Sequence, residues 1–122
     1  MESNTHKHIW DAYGKSWSET DTSKRLQLFE QTLSPEVVYT DPTIQTTGYA
    51  ELSRNMSEFQ KNVPGAKFVV TDFKSHHGRS LAHWNMVDGQ GNILGQGASF
   101  GLYGADGRLT QMAGFFELPD AD

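Results

Sequence analysis

Residues 93–116 read ILGQGASFGLYGADGRLTQMAGFF. Two runs of alternating character flank Ala105-Asp106-Gly107, a turn signature. The period of two predicts strands over 93–103 and 108–117, joined as a hairpin. Glycines 95, 97, 101 and 104 fall along the first of these strands. Glycine weakens a flat strand but permits sharp bending and close approach of other groups. The same period extends backwards, predicting strands over 66–75 and 80–88, with turns at His77-Gly78 and at Gly89–Asn92. Gly89-Gln90-Gly91 looks glycine-rich, but no helix follows to hold a phosphate, so it reads as a hairpin turn. A four-strand meander that bends this strongly needs something against its concave side.

The preceding half of the chain supplies it. From His8 to Glu19, the residues Ile9, Trp10, Tyr13 and Trp17 form one stripe of an amphipathic helix. Asp21, Thr22 and Ser23 are N-cap candidates for a second helix, with Leu26, Phe29 and Leu33 on one face and Ser34-Pro35 ending it. Residues 36–40 predict a short strand. A third helix over Tyr49–Asn62 turns Leu52, Met56 and Phe59 inward and stops before Pro64-Gly65. Helices segregated from a sheet make an α+β fold. A curved antiparallel sheet wrapped around three N-terminal helices leaves a pocket, and residues 1–122 read as a single domain.

Composition narrows the function classes. Ten Lys and Arg against fifteen Asp and Glu give a formal net charge of −5. With no basic run, nucleic acid and anionic membrane are not expected as partners. There is no cysteine, so disulfides and thiolate catalysis are excluded. No apolar run approaches the length of a membrane span, and MESNTHKHIW lacks an apolar signal core, so a cytoplasmic location is expected.

One acidic residue stands out. In VVYTDPTIQTTG, Val37–Gly48, an apolar strand leads straight into Asp41, and Pro42 stops the ladder. Asp41 reads either as a turn starter or as a carboxylate placed at a pocket mouth. The histidines raise a metal reading from His76, His77, His83 and Asp72. Adjacent strand residues point to opposite faces, however, so His76 and His77 reach one site only if the hairpin distorts. No metal or organic cofactor is expected.

The segments DAYGKSWSETD (11–21), YTDP and TG (39–42 and 47–48), PGAKF (64–68), GADGRL (104–109) and GFF (114–116) resemble, in type and order, the nuclear transport factor 2-like superfamily. Its members include ketosteroid isomerases, SnoaL-like polyketide cyclases and scytalone dehydratase. The resemblance spans roughly residues 6–117 and implies a cone-shaped α+β barrel with a deep apolar pocket. It further implies that Asp41 is a general base and that Tyr13, eight residues before Asp21, is an oxyanion donor. At the second donor position, where ketosteroid isomerases carry a protonated Asp, this chain has Ser99, a weaker donor. Beside these roles stand plainer ones: a core aromatic for Tyr13 and a small residue among glycines for Ser99.

If Ser99 faces inward, so do Gly97 and Gly101. The register that the resemblance implies then brings Ala82, Trp84 and Met86, and Met112, Gly114 and Phe116, to the pocket, with Trp17, Met56 and Phe59 from the helices. Such walls suit a small hydrophobic ligand with one or two oxygens, and not a sugar or a phosphate. The implied activity is acid–base chemistry, isomerase or lyase in type, on a small hydrophobic carbonyl compound. The alternatives are a non-catalytic binding module or a dimerisation domain. His83, opposite Trp84 in alternation, falls on the convex sheet face, through which the resemblance implies a homodimer.

Overall fold

The computed structural model describes residues 2–117. The chain runs α1 (Glu2–Lys15), α2 (Thr22–Thr32), β1 (Leu33–Thr40), β2 (Gln45–Thr47), α3 (Tyr49–Asn62), β3 (Lys67–His76), β4 (Arg79–Val87), β5 (Ile93–Tyr103) and β6 (Leu109–Phe116). The six strands form one sheet in the order β2-β1-β6-β5-β4-β3, with β2 and β3 as edges, so the sheet is open. Four of the five pairings are antiparallel, and β1 lies parallel to β6. The α+β architecture with helices on one side of a curved sheet is the expected one.

Local chemistry explains most boundaries. Asp21 caps α2, its Oδ1 accepting from the N–H groups of Ser23 (2.8 Å) and Lys24 (3.2 Å). α1 ends earlier than its apolar stripe. The N–H groups of Ser16, Trp17 and Ser18 bond to carbonyls three residues back, a tightened turn that carries Trp17 beyond the helix proper. β1 starts at Leu33, three residues before the expected 36, and Pro35 is accommodated where its pairing with β6 shifts register between Leu33 and Val38. β2 was not anticipated, because three residues are too few to show a period.

α2 holds a correction of its own. Leu26, expected inward, is 40 % exposed, and Arg25 takes the fully buried place. Its guanidinium donates to the carbonyls of Glu19 and Ser53, the hydroxyls of Ser53 and Ser57, and Gln60 Oε1, at 2.8–3.2 Å. Every partner is neutral. Burial lowers the Arg25 pKa, and the nearby Glu19 charge opposes that. Gln60 Nε2 also donates to the carbonyls of Trp17 and Glu19, both at 2.9 Å. The network therefore ties α2, α3 and the Trp17 turn into one frame.

The core lies between helices and sheet, with Trp10, Phe29, Leu33, Val37, Leu52, Met56, Ala82, Leu109 and Met112 buried together. Close approach at glycine is literal here. A Cβ on Gly101 would meet Leu109 and Ser80 side-chain atoms at 2.8 and 2.9 Å. Among the described residues, no helix is long and apolar enough to cross a membrane.

Candidate active site

The sheet register places three inward rows on one face: Ser80-Gly101-Met112, Ala82-Ser99-Gly114 and Trp84-Gly97-Phe116. The helices seal the first row. Beside the others lies a cavity of about 1090 Å³ whose lining includes Tyr13, Trp17, Tyr39, Asp41, Phe59, Phe68, Trp84, Met86, Ser99, Gly114 and Phe116. Asp41, Tyr13 and Ser99 thus face one space, with Trp17, Phe59, Trp84, Met86 and Phe116 around them. Met56, Ala82 and Met112 do not line it. They are 0–1 % exposed and belong to the core packed between the helices and the sheet.

The wall is a run of aromatic contacts. Trp17 meets Tyr39, Phe59 and Phe68 at 5.5, 5.5 and 5.7 Å between ring centres. Phe68 meets Trp84 at 4.9 Å, and Trp84 meets Phe116 at 6.2 Å. Trp84 packs against Gly97, where a Cβ would stand 2.4 Å from its ring. Charge enters at the edge through Lys7, Lys15, Lys67, Asp11, Glu58 and Glu117, a rim the sequence reading did not place.

Asp41 fills both roles open to it. It ends β1 and starts the four-residue turn to β2. Its Oδ1 accepts from the Thr43 N–H and hydroxyl at 2.8 Å and from the Ile44 N–H at 3.1 Å. Its Oδ2 is turned the other way and accepts the Tyr39 hydroxyl at 2.6 Å. The turn thus fixes the carboxylate, with Oδ1 held by the turn and Oδ2 on Tyr39, and Asp41 is part of the cavity lining.

Tyr39 is the functional candidate that sequence reading missed. Strand alternation puts residues 37, 39 and 41 on one face, so the signal was present once Asp41 was taken as inward. Tyr39 is 7 % exposed. Its pKa is raised far above the ordinary phenol value, first by burial and then by Tyr13 and the bonded Asp41 carboxylate. The Tyr13 pKa is raised as well, chiefly by burial, with a smaller contribution from the Asp41 charge and opposition from the Trp17 hydrogen bond. Both phenols therefore stay protonated and can act as donors.

Two indoles orient the remaining hydroxyls. Trp17 Nε1 donates to Tyr13 Oη at 2.9 Å, and Trp84 Nε1 donates to Ser99 Oγ at 3.0 Å. Each hydroxyl accepts from an indole and keeps its own proton to give. Gly114 marks where the groups converge. A Cβ there would lie 3.6 Å from Asp41 Cβ, 3.7 Å from Ser99 Oγ and 3.7 Å from Tyr39 Oη. The site combines one carboxylate with three hydroxyl donors in an aromatic cup.

This architecture has close counterparts among solved structures. A SnoaL-like family protein from Agrobacterium tumefaciens, itself only provisionally assigned as an isomerase, superposes with a TM-score of 0.86 over 94 % of this chain and 99 % of its own, at 22 % identity. The chain has the nuclear transport factor 2-like fold. An NTF2-like protein of unknown function from Exiguobacterium matches 91 % of this chain and 99 % of its own with a TM-score of 0.71 at 14 % identity. A Sinorhizobium meliloti protein provisionally assigned as a polyketide cyclase matches 88 % and 93 % with a TM-score of 0.70 at 16 % identity. No protein-family model and no curated protein sequence matches the chain. NTF2-like folds host many chemistries, so function has to be argued from the cavity.

Proposed function

We propose that this NTF2-like protein performs cofactor-free acid–base chemistry on a small hydrophobic carbonyl compound held in the cavity. Asp41 is the base, and Tyr13 and Ser99 are the donors to the carbonyl oxygen. The observation that carries the reading is the 2.6 Å hydrogen bond from Tyr39 to Asp41 Oδ2, between two residues that both line the cavity. A carboxylate oxygen has two acceptor sites, so Oδ2 can hold Tyr39 and still take a proton from carbon. As the proton leaves, charge develops on the carbonyl oxygen, and preset hydroxyls stabilise it without reorganising. One such donor is typically worth about 3–4 kcal/mol of transition-state stabilisation.

Tyr39 favours elimination over isomerisation. An isomerase needs one base that carries the same proton between carbons. Loss of water needs an acid for the departing hydroxyl as well. Asp41 takes the proton next to the carbonyl, the carbon–carbon double bond forms, and the carbon–oxygen bond breaks. Tyr39 gives its proton to the leaving hydroxyl and takes the abstracted one from Asp41. The strongly raised Tyr39 pKa makes a free phenolate costly, so the two transfers are coupled.

The test is a panel of small apolar ketones with and without a β-hydroxyl, assayed with the wild-type protein and Asp41→Asn. The reading expects turnover that Asp41→Asn reduces by at least about a thousandfold. Turnover surviving Asp41→Asn would refute the base. Tight binding of an apolar ligand with no turnover would establish the binding-module alternative. A second copy of the chain is the proposed partner of the convex sheet face, where Val69, Leu81 and Phe115 are 43, 40 and 64 % exposed. Sedimentation of Phe115→Glu against wild type decides that point.

A further inference from the structure

A second pair of chemistry-bearing residues lies at the β3–β4 turn and shares no residue with the cavity lining. The central turn residues His77 and Gly78 have φ of +48° and +74°, and His76 pairs with Arg79 across them. Positive φ at both centres is the two-residue turn that matches strand twist. Asn, Asp or Gly usually takes the first of these places, where His77 stands as the only non-glycine residue with positive φ among those described. The consequence is directional. Left-handed backbone breaks the alternation that would send the two rings to opposite faces. The Nδ1 atoms of His76 and His77 face each other at 3.2 Å, with ring planes inclined by 77°.

Two ring nitrogens this close need something positive between them. A shared proton makes a hydrogen bond of small net value on an exposed hairpin. A metal ion is the other solution. With metal–nitrogen bonds of about 2.0–2.1 Å, two ligands of a tetrahedral ion sit about 3.3 Å apart, and two adjacent ligands of an octahedral ion about 2.9 Å. The observed spacing falls between these values. We propose that His76 and His77 form a two-nitrogen chelate for a late first-row divalent cation, Zn²⁺, Ni²⁺ or Cu²⁺, bound through both Nδ1 atoms. Imidazole nitrogen favours these ions over Mg²⁺ and Ca²⁺. Arg79 sits beside the pair, but its guanidinium is engaged by the His77 carbonyl at 2.7 Å. Among the described residues no group of three or more His, Cys, Asp or Glu is placed to hold a metal. The pair therefore supplies two positions and water the others, which sets a modest affinity, roughly 1–100 µM.

The experiment is calorimetric titration of the whole chain with Zn²⁺, together with long-range ¹H–¹⁵N spectra of the histidine rings. One cation per chain is expected, with the Nδ1 resonances of His76 and His77 shifting. His77→Asn is the informative variant, because Asn suits the left-handed position and keeps the turn. It should weaken binding at least about tenfold while the melting temperature holds or rises. His76→Gln should weaken binding equally. His83→Asn, removing the exposed ring 3.8 Å from Asp72, should leave it intact. Affinity retained in His77→Asn, perturbation at Nε2 in place of Nδ1, or no saturable binding at about 1 mM Zn²⁺ would overturn the proposal.

Discussion

Removing a single oxygen, Tyr39→Phe, probes the centre of the site. The ring is 7 % exposed and packed on Trp17, so phenylalanine fits the same space. What is lost is the 2.6 Å hydrogen bond to Asp41. Bonds to a charged partner contribute about 1.5–3 kcal/mol. Asp41 is only half-buried and water can partly replace the phenol, so the expected loss at pH 7 is about 1.5–2 kcal/mol. For a domain of this size that lowers the melting temperature by about 5–10 °C.

The alkaline limb supplies an independent readout. The folded state raises the Tyr39 pKa, mainly through burial, while the unfolded chain titrates near 10. Below pH 10 both states hold the proton, and Tyr39 adds no pH dependence. Above it the unfolded chain releases a proton that the folded chain retains, so stability falls by about 1.4 kcal/mol per pH unit. Tyr13 contributes in the same direction, as does Tyr103, whose pKa burial pushes up to about 12. Tyr39→Phe should therefore start lower at pH 7 but decline less steeply, and the two stability curves should meet near about pH 11. Urea unfolding between about pH 7 and 11 measures both quantities. Equal stability at neutral pH with an equal alkaline slope would refute the hydrogen bond and the relay built on it.

Three further substitutions test other parts of the fold. Gly114→Ala places a methyl 3.6–3.7 Å from Asp41, Ser99 and Tyr39, an ordinary contact distance. Stability should hold or rise by up to about 1 kcal/mol in urea unfolding, while ligand occupancy by native mass spectrometry falls. Gly97→Ala drives a Cβ to 2.4 Å from the Trp84 ring and 2.8 Å from the Phe115 carbonyl. It should cost about 1–3 kcal/mol and shift tryptophan emission, since the indole has to leave Ser99. Arg25→Lys leaves one ammonium where a guanidinium on α2 spans acceptors on α3 and the Trp17 turn, and should cost about 2–4 kcal/mol in chemical unfolding.

Much of this was legible in the chain before any coordinates. Tyr49–Asn62 appears as a helix with its expected bounds, and 93–103 as a strand with its expected bounds, because both carry a period over many residues. Alternation, with the strand register that the family resemblance implied, put Trp84, Ser99 and Phe116 on one face, and the pairing of β4, β5 and β6 agrees. Periodicity fails where a polar residue takes an apolar position. Leu26 looked like the inward residue of α2, and only the acceptors on α3 and the Trp17 turn, distant in sequence, make Arg25 the buried one.

The sequence by itself determined the longer helices and strands, the alternation within each strand and the presence of an acid at the end of β1, because these follow from backbone periods of two and 3.6 and from local turn chemistry. Tertiary structure decided which inward residues see a ligand. Trp84 and Met112 are equivalent in alternation, yet helix packing gives one to the cavity and the other to the core. It also decided that Tyr39 grips Asp41, that two indoles aim the other hydroxyls, and that His77 turns back toward His76. Those are distances between particular atoms, set by how segments cross and by one left-handed residue, and no one-dimensional pattern encodes them.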